Sequence, residues 1–325
     1  MKTRWKDVML ALGMGAVLPG VLLNLAAFTV REESVQSVPQ QWETVTSSAA
    51  EVSMEVTLLN SQGNTEVMEL EEYLLGVLLA EMPVSFHEEA LKAQSVVAGT
   101  YVCKAISTGG KHGDGVICAD PGCCQGYRSE AEYLAGGGST DAVDKLRGVI
   151  RETSGQVLTY GDTLIEATYF SCSGGRTEEA VAVWGTDFPY LKSVESPGEE
   201  EAAYYRESVT FQPSEFARLL GITPSGRAVD WIGYTTYTAG GGVATMEIGG
   251  KVFTGIQLRS ILGLRSTAIT IEAEETAVTV TTKGFGHRVG MSQYGADAMA
   301  RAGKTYSEIL AWYYPGTVLK SLDSL

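Results

Sequence analysis

Basic residues are scarce in this 325-residue chain: 24 Lys and Arg stand against 39 Asp and Glu, for a formal net charge of −15. Binding to a phosphate backbone draws on clustered cations, so a general nucleic-acid binder is excluded. There is no internal repeat, no heptad run, and no GxGxxG spacing to support a dinucleotide. There is no CxxC pair either. The five cysteines are an odd number, so at least one thiol is free, shared or bound to something. What the chain has in quantity is apolar surface and glycine: 44% hydrophobic residues and 38 Gly are too much for a disordered chain, and the length is ample to bury a core without disulfides.

Residues 8–30 carry no charge over 23 positions, enough as a helix to cross a hydrocarbon core of roughly 30 Å, and Lys2, Arg4 and Lys6 precede them. Positive flanks stay in the cytoplasm, so residues 31 onward are expected beyond the cytoplasmic face. A cleaved signal peptide is the alternative, although the run is long for one and Leu25-Ala26-Ala27 is a poor small-x-small site. The expected division is therefore 1–30 cytoplasmic tip and transmembrane anchor, 31–50 flexible linker, and 51–325 exported domain. Setting aside Lys2, Arg4, Lys6 and Asp7 leaves 21 basic and 38 acidic residues, so the acidity belongs to the exported part, at −17.

Within that part, alternation predicts a strand over residues 52–59 and a turn at 60–64. Helices are predicted over Leu70–Glu81, stopped by Pro83, and over residues 88–106. Residues 107–128, rich in Gly, Cys and Asp, read as loop, and 139–153 as a helix begun by Ser-Thr-Asp. From residue 156 a hairpin turns at Gly161-Asp162. Strands and loops then dominate to 283, with a short helix at Pro213–Leu220, and helices follow at 293–302 and 306–314. Segregated helices and strands indicate an α+β fold, in which a helical pair packs on a strand-rich body.

Three constellations carry possible chemistry. On a helical wheel with Leu70 at 0°, Leu74, Val77, Leu78 and Glu81 fall at about 40°, −20°, 80° and 20°, so Glu81 projects from the apolar stripe. Desolvation there favours the neutral carboxyl, as a general acid requires; the alternative is a helix already frayed by Pro83. In the glycine-rich loop, His112, Cys118, Cys123 and Cys124 are good zinc ligands, against a disulfide from Cys118 to Cys123 or Cys124. The run 284–296 (GFGHRVGMSQYGA) offers His287, Ser292, Gln293 and Tyr294 to polar ligands. Alternatively it is a tight strand-to-helix connection with Ser292 as N-cap, and Ser171-Cys172-Ser173-Gly174-Gly175 is similarly open.

LEEYLLGVLLAEMP, EEALKAQSVVAGTY, SCSGGRT, VWGTDFPYL and GFGHRVGMSQYGADAMA together resemble the stage II sporulation protein D family, and more broadly the amidase-enhancer family, from about residue 55 to the last residue. The resemblance implies a membrane-anchored peptidoglycan lytic transglycosylase that works in spore engulfment beside an amidase and a membrane scaffold. Its catalytic residue is the Glu of Glu-Met-Pro, here Glu81. A family spacing of His-x5-Cys-x5-Cys implies zinc on His112, Cys118 and Cys124 in preference to Cys123; because catalytic zinc activates water and the implied reaction excludes water as nucleophile, a structural role is expected of it. Lys92, Gln94, Ser171, Ser173, His287, Arg288, Ser292, Gln293 and Tyr294 match stretches that resemble the family's glycan groove. Gly99 stands where relatives commonly have Arg. Because peptide-free muramyl residues are anionic, a basic groove is required, with Lys92 and Arg288 as candidates. Cys103 and Cys172 read as buried small hydrophobes. The rival functions are a non-catalytic glycan-binding amidase enhancer and a zinc hydrolase.

Overall fold

The computed structural model describes residues 54–325. The uncharged run at 8–30 and the tether at 31–50 lie outside the described residues, among which no helix is long and apolar enough to cross a membrane.

The strand Glu55–Leu59 buries Val56 and Leu58 and pairs antiparallel with Thr65–Glu69. The Asn60 side chain closes the turn between them by accepting from the Gln62 and Asn64 amides. Helix α1 (Leu70–Glu81) follows directly, and it stops because Pro83 forces Met82 into extended backbone (φ −127°, ψ 139°). Helix α2 (Glu88–Thr108) is capped by the His87 ring, which accepts from the Glu89 amide, and ends on Gly109 in the left-handed region. Helix α3 (Glu130–Ala135), which the sequence reading passed over, is short and begins with a Ser129/Glu132 capping box; α4 (Thr140–Glu152) is capped by Ser139 as expected.

The first core forms around α2, which touches α1, α4, the strand Gln156–Tyr160 and two later helices, α8 and α9 below. Tyr73, Leu75, Leu91, Val97, Leu146 and Leu310 are among its buried side chains. The helical pair is therefore enclosed mainly by other helices, with the strand Gln156–Tyr160 the chief strand against α2. The reason lies in α1, whose LLGVLLA run is apolar all round and needs partners on several sides.

The expected hairpin is shorter than its sequence suggests. Gln156–Tyr160 pairs with Thr163–Leu164, whereas Tyr169–Phe170 leaves to pair in parallel with Met291–Ser292. After α5 (Ala180–Trp184), the strand-rich segment builds its own core from two three-stranded sheets and the helices α6 (Pro213–Leu220) and α7 (Gly255–Leu262). Phe216, Ile248, Leu258, Val278 and Val280 fill it. Helices α8 (Gln293–Arg301) and α9 (Tyr306–Tyr313) return to the first core.

Two buried side chains hold the connections together. Glu199 accepts from the amides of Ser173 and Gly174 (both 2.9 Å) and from the hydroxyls of Ser173 (2.6 Å), Ser196 (2.8 Å) and Ser292. Arg288 donates to the carbonyls of Ser173, Arg176 and Gly240 and pairs with buried Glu178 at 3.1 Å. Between them the backbones at Gly174 and Gly284 touch, and a Cβ on either would lie under 3 Å from main-chain atoms of the other segment.

Candidate active-site cleft

Glu81 is the last residue of α1, and the helix is intact to that point. Leu70, Leu74, Val77 and Leu78 are buried as the wheel requires, so the carboxyl leaves the helix on its packed side. The exit of the cysteine loop meets it there. The Gly126 amide donates to Glu81 Oε1 at 2.6 Å, the Arg128 amide donates to the Gly76 carbonyl at 3.0 Å, and the Tyr127 ring lies over Gly76. A Cβ on Gly126 would stand 2.7 Å from the carboxylate oxygen, so glycine is what permits this approach. Burial raises the Glu81 carboxyl above its ordinary value, and the Gly126 amide, followed by Gln293 and Tyr169, offsets part of that rise. The Tyr169 hydroxyl and the Gln293 amide nitrogen are buried facing that carboxyl, and neither is taken up by another partner among the described residues.

Glu81, Ser171 and Gln293 are shared by two lobes of one cleft, of about 760 and 490 Å³. Among the described residues, no other Asp or Glu lines either lobe. The larger lobe carries Trp184, 43% exposed, against His287 (ring centroids 5.2 Å apart), with Phe285 and Arg259. The smaller carries Phe86, Tyr204 and Tyr294, with Tyr294 edge-on to both of the others. The exposed rings of Trp184, Phe285 and Tyr204 suit the apolar faces of sugar rings. Burial, and then the Arg259 charge, push the His287 imidazole down to about 4, so it is neutral near pH 7. Its Nδ1 accepts from the Val289 amide at 3.1 Å, which leaves the hydrogen on Nε2.

Of the residues expected in a groove, Glu81, Ser171, His287, Gln293 and Tyr294 line the cleft. The other five do not. Lys92 is buried and spent on Glu88, Glu89 and Glu152, all within 3.1 Å. Gln94 is wholly buried in α2, away from the walls. Ser173 and Ser292 are enclosed with their hydroxyls on Glu199, and Ser292 is the N-cap of α8. Arg288 is locked against Glu178 in the interior. The polar atoms of Lys92, Ser173, Ser292 and Arg288 are used up on partners within the protein, whereas the buried Gln94 amide makes no hydrogen bond to a described residue. Gly99 sits inside α2 with only Leu74, at 3.9 Å, near a would-be Cβ.

In the loop after α2, one ligand atom from each of His112, Cys118, Cys123 and Cys124 lies within 4.8 Å of all the others. All five cysteines are free thiols, so no disulfide joins this group, and Cys123 is drawn in alongside Cys124. A Cys3His set suits a tetrahedral metal with all four positions taken by protein. Cys103 and Cys172 are buried elsewhere, and burial first of all pushes their thiols up to about 11 and about 12.

Comparison with known proteins places this arrangement. The chain is 37% identical over 304 residues to stage II sporulation protein D of Bacillus subtilis, covering 92% of this chain and 88% of that one. The chain belongs to the stage II sporulation protein D family. The Bacillus amyloliquefaciens member is 40% identical over 269 residues, 81% of this chain and 78% of that protein. An amidase enhancer of B. subtilis is 30% identical over 301 residues, 76% of this chain but 40% of its own length. The family model for stage II sporulation protein matches residues 60–160, a stretch that contains Glu81, Gly126 and all four clustered ligands. In this family member, sequence reasoning missed Gly126, Glu199 and Arg259. A glycine two residues after a ligand cysteine was a usable signal for the first. The other two have none, because isolated charged residues look alike in sequence.

Proposed function

We propose that the protein is a lytic transglycosylase that cleaves peptide-free peptidoglycan strands between N-acetylmuramic acid and N-acetylglucosamine, leaving 1,6-anhydro ends, during spore engulfment. The observation that carries this reading is the solitary carboxyl at the junction of the two lobes. Ordinary glycosidases need a second carboxylate as base or nucleophile; a transglycosylase borrows its nucleophile from the substrate. Glu81, whose carboxyl burial raises above its ordinary value, protonates the glycosidic oxygen as the bond to the muramyl C1 breaks. The carboxylate so formed takes the proton of the muramyl C6 hydroxyl as that oxygen bonds to C1, which returns Glu81 to its starting state. The Gly126 amide steadies the carboxylate between the two proton transfers.

The Cys3His cluster fits zinc by donor type and convergence. With zinc bound, the loop would be cross-linked just before Gly126, and the chemistry supplied is structural. A closed set of four protein ligands leaves no position for a metal-bound water, which tells against a zinc hydrolase. The apolar run at 8–30 would act as a single-pass anchor in the cell membrane with its N-terminus in the cytoplasm, and residues 51–325 would lie outside with an amidase and a membrane scaffold as partners. The relative named amidase enhancer keeps a binding-only function as second reading. Mass spectrometry of peptide-free strands separates the two: the parent protein should release anhydro ends and Glu81→Gln should slow this by roughly a hundred- to ten-thousand-fold. Equal product from both proteins, or no cleavage by either, would overturn the proposal.

A further inference from the structure

With Lys92 held by Glu88, Glu89 and Glu152 and Arg288 by buried Glu178, the cleft of an acidic protein needs another source of positive charge. Two cations among the described residues line it, Lys111 and Arg259, both in the larger lobe. Lys111 already donates to the Cys123 carbonyl. Arg259 differs: its guanidinium makes no hydrogen bond and no ion pair with any described residue, although the side chain is partly buried on α7. Most of the other charges in the neighbourhood are neutralised locally. Arg265 pairs with Glu207 at 2.6 Å, and Arg288 with Glu178. A half-desolvated, unpaired arginine in a molecule with 39 acidic residues is poised for an anion that arrives with the ligand. The carboxyl of Glu81 does not meet this need if it is neutral at the start of the reaction.

Resting on the glycan reading above, we infer that Arg259 is a specificity residue that pairs with a muramyl lactyl carboxylate in the larger lobe and thereby selects strands whose stem peptides have been removed. The chemistry of the ligand makes the selection sharp. While a peptide is attached, the lactyl carbonyl is a neutral amide; hydrolysis of that amide exposes a carboxylate that a planar guanidinium can grip with two parallel hydrogen bonds. Chitin oligomers share the β-1,4 N-acetylhexosamine backbone but have no lactyl group at all. The aromatic faces of Trp184, Tyr204 and Tyr294 bind both kinds of backbone, and Arg259 supplies the difference. The reaction that must precede this enzyme is therefore hydrolysis of the lactyl amide, because that step creates the charge Arg259 recognises.

The test is equilibrium binding to the full-length Glu81→Gln protein, which leaves the probes uncut. Three probes of matched length are compared: peptide-free strand fragments, the same fragments with the lactyl carboxylates converted to amides, and chito-oligosaccharides. The free carboxylates should give roughly tenfold tighter binding than either neutral probe, and the advantage should shrink as salt is raised. Adding Arg259→Ala should erase the advantage while leaving chito-oligosaccharide binding in place, which also reports an intact fold; Arg259→Lys should restore part of it. Equal loss for all three probes, or an unchanged preference, overturns the assignment of Arg259 while the glycan reading stands. Failure of the parent to bind any probe overturns the glycan reading, and this inference with it.

Discussion

Glu81 is asked to give up a proton, and its surroundings favour the protonated form. Burial raises its carboxyl, and only then do the Gly126 amide, Gln293 and Tyr169 pull it part of the way back. A group whose value is raised in the folded state contributes its full stability below its ordinary range near 4.5, and that contribution is lost as pH climbs through the raised value. Glu81→Gln should therefore melt at a higher temperature than the parent at pH 7, with the difference shrinking toward pH 4; a pH-independent difference in Tm would contradict the assigned burial. The same sign makes activity fall as pH rises through the Glu81 value. His287, pushed down to about 4, is already neutral there and does not shape that limb. The pattern of apolar residues in α1 pointed to Glu81 because a wheel needs only sequence. It did not disclose that Lys92 and Arg288 are taken up in ion pairs, since Glu152 and Glu178 come to them from distant parts of the chain.

At the scale of elements, α1 and the exit of the cysteine loop act as one unit. Gly76 admits the Tyr127 ring and Gly126 admits the carboxylate, so the loop lies flat along the helix and delivers an amide to its last residue. Gly126→Ala should leave the fold and glycan binding in place but cut the cleavage rate by about a hundredfold, because a Cβ 2.7 Å from Oε1 displaces the acid from its position. Rate unchanged in the folded variant would refute that role. Local rules sufficed for the end of α1, for both ends of α2 and for α6, where Pro83, His87, Pro213 and the glycine caps mark the limits. They failed for α5 and α7, short helices of five and eight residues within β-rich sequence, and for Tyr169–Phe170, whose parallel partner lies about 120 residues away in the chain.

The whole molecule sets two cores against one cleft. The helical core supplies Glu81, and the strand-rich segment supplies Arg259 on α7. Between them lies the Cys3His loop, whose proposed zinc would fix the path of residues 124–128. Stripping metal with a chelator should lower Tm and activity together, and zinc should restore both; activity lost at unchanged Tm would assign the metal to catalysis instead. The net charge of −15 pervades the molecule without extending to the acids of the cleft, where Glu81 alone stands among the lining residues. That solitude is the basis of the central claim, that the C6 hydroxyl of the substrate, and not water, attacks C1. Cleavage of peptide-free strands in isotopically labelled water reads this directly. The account predicts 1,6-anhydro ends with no label; reducing ends carrying the heavy oxygen would contradict it.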